Sequence, residues 1–123
     1  MTAQASHIRL TLAREPGHPH GDVGTGYDIV AFLDADGRLD LTACRNHVDQ
    51  CRVRRFKDDD TLGTGRLRHT VGDRWLLDFD LVDSEDATGF RLGDERFVPG
   101  EYVSITAGDG VAHTYGVEHV AAI

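Results

Sequence analysis

The sequence predicts a mainly β protein, an antiparallel barrel or closed sandwich of about eight strands with one short helix. Apolar residues alternate at period two along most of the chain, turn signals built on Gly, Pro and Asp recur at short spacing, and a sheet with that many strands must manage its edges. At 123 residues with 40% hydrophobic and 28% charged composition, the chain can bury one core without staples, so residues 1–123 are read as one β domain.

SHIRLTLAR alternates Ile8, Leu10 and Leu12 against His7, Arg9 and Thr11 and reads as the first strand. EPGHPHGDVGTG, residues 15–26, is read as a loop, because its prolines and glycines do not suit a strand interior. GYDIVAFLDADGRLDL is a hairpin. A loop of Ala35, Asp36 and left-handed Gly37 places Leu33 opposite Leu39 and Ala31 opposite Leu41, which keeps the apolar side chains on one face.

Thr42 reads as a helix N-cap, and TACRNHVDQC as about two helical turns before CRVRRF returns to strand. KDDDTLGTG is a polar turn region. GRLRHTVGDRWLLDFDLV is a second hairpin, in which Leu67 faces Leu77, His69 faces Trp75, and Arg66 faces Asp78 on the other side. After the solvated stretch VDSEDATG come a short strand, a turn at Pro99 and Gly100, and a final hairpin looped at Gly108, Asp109 and Gly110. That loop places Ile105 opposite His113 and Val103 opposite Tyr115, with Val111 and Val117 on the same face.

Net charge is −8 but uneven: −3 over residues 1–44, +3 over 45–74 and −8 over 75–123. An acidic chain disfavours general attraction to phosphate backbones or anionic lipid, and CRVRRFK is one basic strand that internal ion pairs account for, so neither nucleic acid nor membrane is an expected partner. No apolar run approaches the roughly 18 to 20 residues of a membrane-spanning helix, and MTAQASHIRLTLAREPG lacks the pattern of a secretory signal. The expected location is cytoplasmic.

Chemistry-bearing residues fall into three groups. CRNHVDQC holds Cys44, His47 and Cys51. In a continuous helix the cysteine Cα atoms stand roughly 10.5 Å apart, too far for a disulfide or for sharing one zinc ion. What remains is a half-site on His47 and Cys51 or Cys44, weighed against a core stripe of Cys44, His47, Val48 and Cys51. GHPHG offers His18 and His20, a His-x-His pair that, with the later FVPGEYVSIT, resembles the two motifs of cupins. No Glu follows His20 at the family's distance and Val103 stands near the place of its later ligand, so that metal site is not expected. The third group is His69 beside Trp75 and His113 beside Tyr115, which would meet in an interior ligand pocket if the two hairpins face each other.

LTLAREPGHP, GYDIVAFLDADGRLD, CRVRRF, FVPGEYVSIT and DGVAHTY together resemble a set of small bacterial proteins of similar length. The resemblance spans most of the chain and implies a compact bacterial domain, without an assigned activity, cofactor or partner. The function expected is therefore a non-catalytic binding or accessory module, without a cofactor, that meets a protein or small molecule through its surface and is compatible with homo-oligomers. The competing class is a metal- or ligand-binding β-barrel, an enzyme included, with zinc or another divalent transition metal on His47, Cys51, His69 and His113.

Overall fold

The first strand, β1 (Gln4–Leu12), follows its sequence pattern: Ile8, Leu10 and Leu12 are buried, and His7 and Arg9 are half-buried on the other face. It pairs antiparallel on both sides, with β2 (Asp22–Leu33) and with β8 (Ala112–Ala122). A computed structural model of the chain describes residues 3–58, 60–69, 74–79, 87–89, 92, 95–106 and 110–123.

Strand β2 begins earlier than expected, at Asp22, so the loop is shorter and the strand runs through Gly24 and Gly26. Close approach of β1 explains the second glycine: a Cβ on Gly26 would lie 1.8 Å from the Leu10 carbonyl oxygen. At the far end of β2, Gly37 takes a φ of 84° and Leu33 pairs with Leu39, as the hairpin register requires. The expected pairing of Ala31 with Leu41 does not form, because Asp40 ends the hairpin by capping a helix: its carboxylate accepts from the Ala43 N–H at 2.9 Å.

The helix, α1 (Leu41–Asn46), is shorter than expected and its cap is Asp40 rather than Thr42. It stops at His47, whose φ of −129° is not helical, and a single 3₁₀ turn over Val48–Gln50 leads into β3 (Arg52–Lys57). The stripe expected on a continuous helix is corrected accordingly. Cys44 and Cys51 are buried, whereas His47 and Val48 are exposed.

Strand β4 (Asp60–His69) takes in most of the segment expected as a polar turn, again through glycines. Gly65 crosses the next strand so closely that a Cβ would sit 2.0 Å from the Asp78 carbonyl oxygen. Strand β5 (Trp75–Phe79) pairs with β4 in the expected register, Leu67 with Leu77, His69 with Trp75 and Arg66 with Asp78. The short β6 (Ala87–Gly89) joins β5 through three residue pairs and β7 (Tyr102–Thr106) through Thr88 and Thr106. Strands β7 and β8 pair Val103 with Tyr115 and Ile105 with His113 as expected, but Val111 is exposed and does not join the buried face. Residues 107–109 of that hairpin loop, like most of the stretch expected as a solvated loop after β5, lie outside the described residues.

The result is a curled antiparallel sheet in sequence order, with β8 returning to β1 and β6 bridging the thin side. The mainly β expectation with one short helix holds. One apolar cluster fills the concave side, including Ile8, Ile29, Val53, Leu67, Leu77 and Tyr115. No helix among the described residues is long and apolar enough to cross a membrane.

Leu77 is fully buried, while Arg66 is exposed and makes no ion pair with Asp78 among the described residues. Leu77→Ala is therefore expected to cost about 2 to 5 kcal/mol and Arg66→Ala about 0 to 1 in denaturant melts; the reverse order would invert the assigned faces. Burial, followed by the neighbouring Tyr27 ring 5.2 Å away, raises the Tyr115 phenol above its ordinary 10.0. A raised folded pKa leaves its stabilisation intact below the unfolded value and removes it as pH climbs further. Stability should thus fall as pH rises above 10.0, and Tyr115→Phe should flatten that fall in melts across the alkaline range.

Candidate functional site

Strand alternation and register together determine what stands on the outside of β1 to β4. Where Ile8, Ile29 and Val53 pair inward, the residues on either side of each must point outward. One outer row runs His7, Val30, Arg52 and Arg66 across the four strands. The next runs Arg9, Asp28, Arg54 and Thr64. Most of these residues line a groove of about 580 Å³, with Asp28, Arg52, Arg54 and Arg66 as its charged walls and Val30 as its outward-facing apolar side chain.

One carboxylate organises one end of the groove. Asp28, 14% exposed, takes Arg54 Nη1 at 2.7 Å, Arg9 Nη1 at 3.3 Å and His7 Nε2 at 3.0 Å. Thr61 Oγ1 fixes the other side of Arg54 by accepting from Nε at 2.6 Å. Below them lies Phe56, fully buried yet opposite Gly26 on the outer face, with the guanidinium of Arg9 4.1 Å and that of Arg54 5.4 Å from its ring centroid. Stacking on an aromatic face holds both planes in place and adds to the ion pairs.

The other end is arranged differently. Arg52 and Arg66 stand directly opposite each other across β3 and β4, a placement that like charges destabilise. Neither finds a carboxylate among the described residues. Arg52 donates from Nε to the Asp49 carbonyl at 3.4 Å, and Asp78, the cross-strand neighbour of Arg66, pairs instead with Arg68 at 3.1 Å. The groove thus carries an excess of cationic groups in a chain of net charge −8. Chemically it can hold an oxyanion between guanidinium forks, with carbon skeleton against Val30.

The sequence-predicted site residues do not gather. His69 and Trp75 do meet, edge to face with ring centroids 5.1 Å apart, and they line a cavity of about 300 Å³ together with Cys44, Arg45 and Arg68. The expected approach of His113 and Tyr115 to this pair is corrected. His113 sits at the rim with Nδ1 2.9 Å from a Glu15 carboxylate oxygen, and Tyr115 packs on Tyr27. The His113 side chain is 30% exposed, so the interior histidine that the hairpin register suggested is instead one tied to the loop after β1.

His47 lies exposed beside the Phe32 ring, 5.2 Å between centroids, away from the buried Cys51. His18 is exposed and 3.6 Å from Glu15 through Nδ1, while exposed His20 lines a separate shallow cavity near Arg14. Among the described residues no cluster of His, Cys, Asp or Glu is arranged to hold a metal ion.

The groove itself escaped the sequence reading, which treated the basic middle as internal pairing. A signal was present: Arg52 and Arg54, like Arg66 and Arg68, are two apart and so share a face of any strand. What was missing was the register that sets those faces side by side. Comparison with known proteins adds no analogue, since no family model, curated protein or solved structure matches the chain.

Replacing Asp28 by Asn should leave the cations that converge on it without their shared anion. Because hydrogen bonds to charged groups contribute about 1.5 to 3 kcal/mol each and the arginines here keep some contact with water, Asp28→Asn is expected to cost about 1 to 3 kcal/mol. Chemical denaturation measures this, and a cost indistinguishable from zero would show that the network contributes nothing.

Proposed function

We propose that the protein is a small bacterial binding module, acting in the cytoplasm without catalysis, whose groove takes a phosphate-bearing small molecule. The same reading takes the curled sheet as a closed eight-stranded barrel, with the groove on its outer wall. One observation carries the proposal: Arg52 opposes Arg66 across a ladder, and neither has a carboxylate partner among the described residues. Arranging like charges so costs stability in the free protein. A bound oxyanion removes that cost and satisfies two planar donor forks at once, which Arg matches to phosphate better than Lys does.

The neighbours fit the same ligand. Arg54 is already oriented by Asp28 and Thr61, and Thr64 adds a hydroxyl to the wall. The volume of about 580 Å³ falls within the range of small-molecule sites. A long nucleic-acid track fits less well, because the basic patch is confined to four strands of an acidic chain.

Calorimetric titration of the full chain with pyrophosphate at low salt is the test. Binding is expected, weakening as salt is added, and the double substitution Arg52→Gln with Arg66→Gln should raise Kd at least about tenfold. Arg38→Gln, on the β2 hairpin away from the groove, should leave Kd unchanged. Failure of pyrophosphate to bind, or equal binding by the double variant, would overturn the assignment.

A further inference from the structure

The break in the helix at His47 changes what the two cysteines can do. Because the chain leaves the α-helix after Asn46 and turns through Val48–Gln50, Cys51 does not continue the same helix, and its thiol is directed toward the Cys44 backbone. Its Sγ lies 3.9 Å from the Cys44 carbonyl oxygen, and the Cys44 Sγ lies 3.7 Å from the Phe32 carbonyl oxygen. Both thiols are free and buried, Cys44 at 4% and Cys51 at 0% exposure. They are not equivalent, however. Cys44 lines the cavity of about 300 Å³ whose walls include Arg45, Arg68, His69 and Trp75, whereas Cys51 does not reach it.

We infer that Cys44 and Cys51 form a peroxide-reactive thiol pair, in which Cys44 attacks peroxide that enters through the cavity and Cys51 resolves the product. The electrostatics divide the roles in the same sense. A hydrogen bond from Cys51 is the largest influence on Cys44 and draws its pKa below the ordinary 9.0, against the opposing effects of burial and the Asp40 carboxylate. The same hydrogen bond, then burial, pushes Cys51 upward and keeps it protonated.

The chemistry closes with hydrogen peroxide as the oxidant. The Cys44 sulfur attacks one peroxide oxygen; an S–O bond forms as the O–O bond breaks, leaving Cys44 sulfenic acid, while the departing hydroxide and the thiol proton become water. The Cys51 sulfur then attacks the Cys44 sulfur. An S–S bond forms as the S–O bond breaks, and the hydroxyl leaves with the Cys51 proton as a second water. Two thiols are oxidised and one peroxide is reduced to two waters. A reducing thiol restores the starting state.

Intact-mass measurement of the native chain before and after hydrogen peroxide tests this, with digestion to locate any new link. The expected result is loss of the mass of the two thiol hydrogens, a peptide joining Cys44 to Cys51, and full reversal by dithiothreitol. In Cys51→Ser the sulfenic acid should persist on Cys44 and be captured by dimedone, and in Cys44→Ser the remaining thiol should stay unmodified. An unchanged mass in the native chain, oxygen additions without the internal link, or oxidation of Cys51 in Cys44→Ser at the native rate would overturn the proposal. The native-chain result stands even if a serine variant fails to fold.

Discussion

The pairing of β1 on both of its edges is the constraint from which the rest of the architecture follows. Its apolar residues Ile8, Leu10 and Leu12 can lie on one side only, so β2 and β8 are obliged to bring Ile29, Val117 and Tyr115 to that side as well. Register irregularities fall between Arg9 and Leu10 on the β8 side and between Thr11 and Leu12 on the β2 side. Such bulges bend a strand and increase its twist. Here they bend the strand that both halves of the sheet share, and beside them Gly26 lies closer to the Leu10 carbonyl than any side chain would permit.

The same alternation makes the outer wall. Val53 must enter the core, so Arg52 and Arg54 must leave it, and the partner register then decides which charges become neighbours. Asp28 meets the cations of one row, and the other row is left with two arginines facing each other. The groove is thus a by-product of core packing in its position, while its charge excess is not, since an acidic residue in place of the exposed Arg66 would pair with Arg52 and leave the core unchanged. That distinction separates a wall that is merely polar from one arranged for a ligand.

How much of this was legible in the sequence depended on whether apolar alternation or local propensity governed the segment. The β4–β5 and β7–β8 registers were legible because Leu67, Leu77, Val103 and Ile105 each tolerate one face only. Gly26 and Gly65 defeated the reading, since glycine signals turns locally whereas here it admits a neighbouring backbone across the sheet. The helix break at His47 carries no proline or glycine to announce it. The contact between Glu15 and His113, 98 positions apart, depends on a fold that must already be in place. Of the candidate site, the residue types were visible and their adjacency was not.

The order of the strands also bears on how the chain reaches this structure. From β1 to β8 each strand lies beside its neighbour in sequence, and the β1–β8 ladder alone, among those described, joins the two ends. Chain-ordered pairing keeps most loop closures short, and the entropy of closing a loop grows with the logarithm of its length. The search problem is therefore concentrated in a single event, the meeting of the termini. Before it, the growing sheet carries two unsatisfied edges; after it, the strand that organises the core has both of its edges occupied, and the end of the chain is held by the Ile123 N–H donating to the Ala5 carbonyl at 3.0 Å. A fold written in this order spends its topological complexity at one seam, the ladder between β1 and β8.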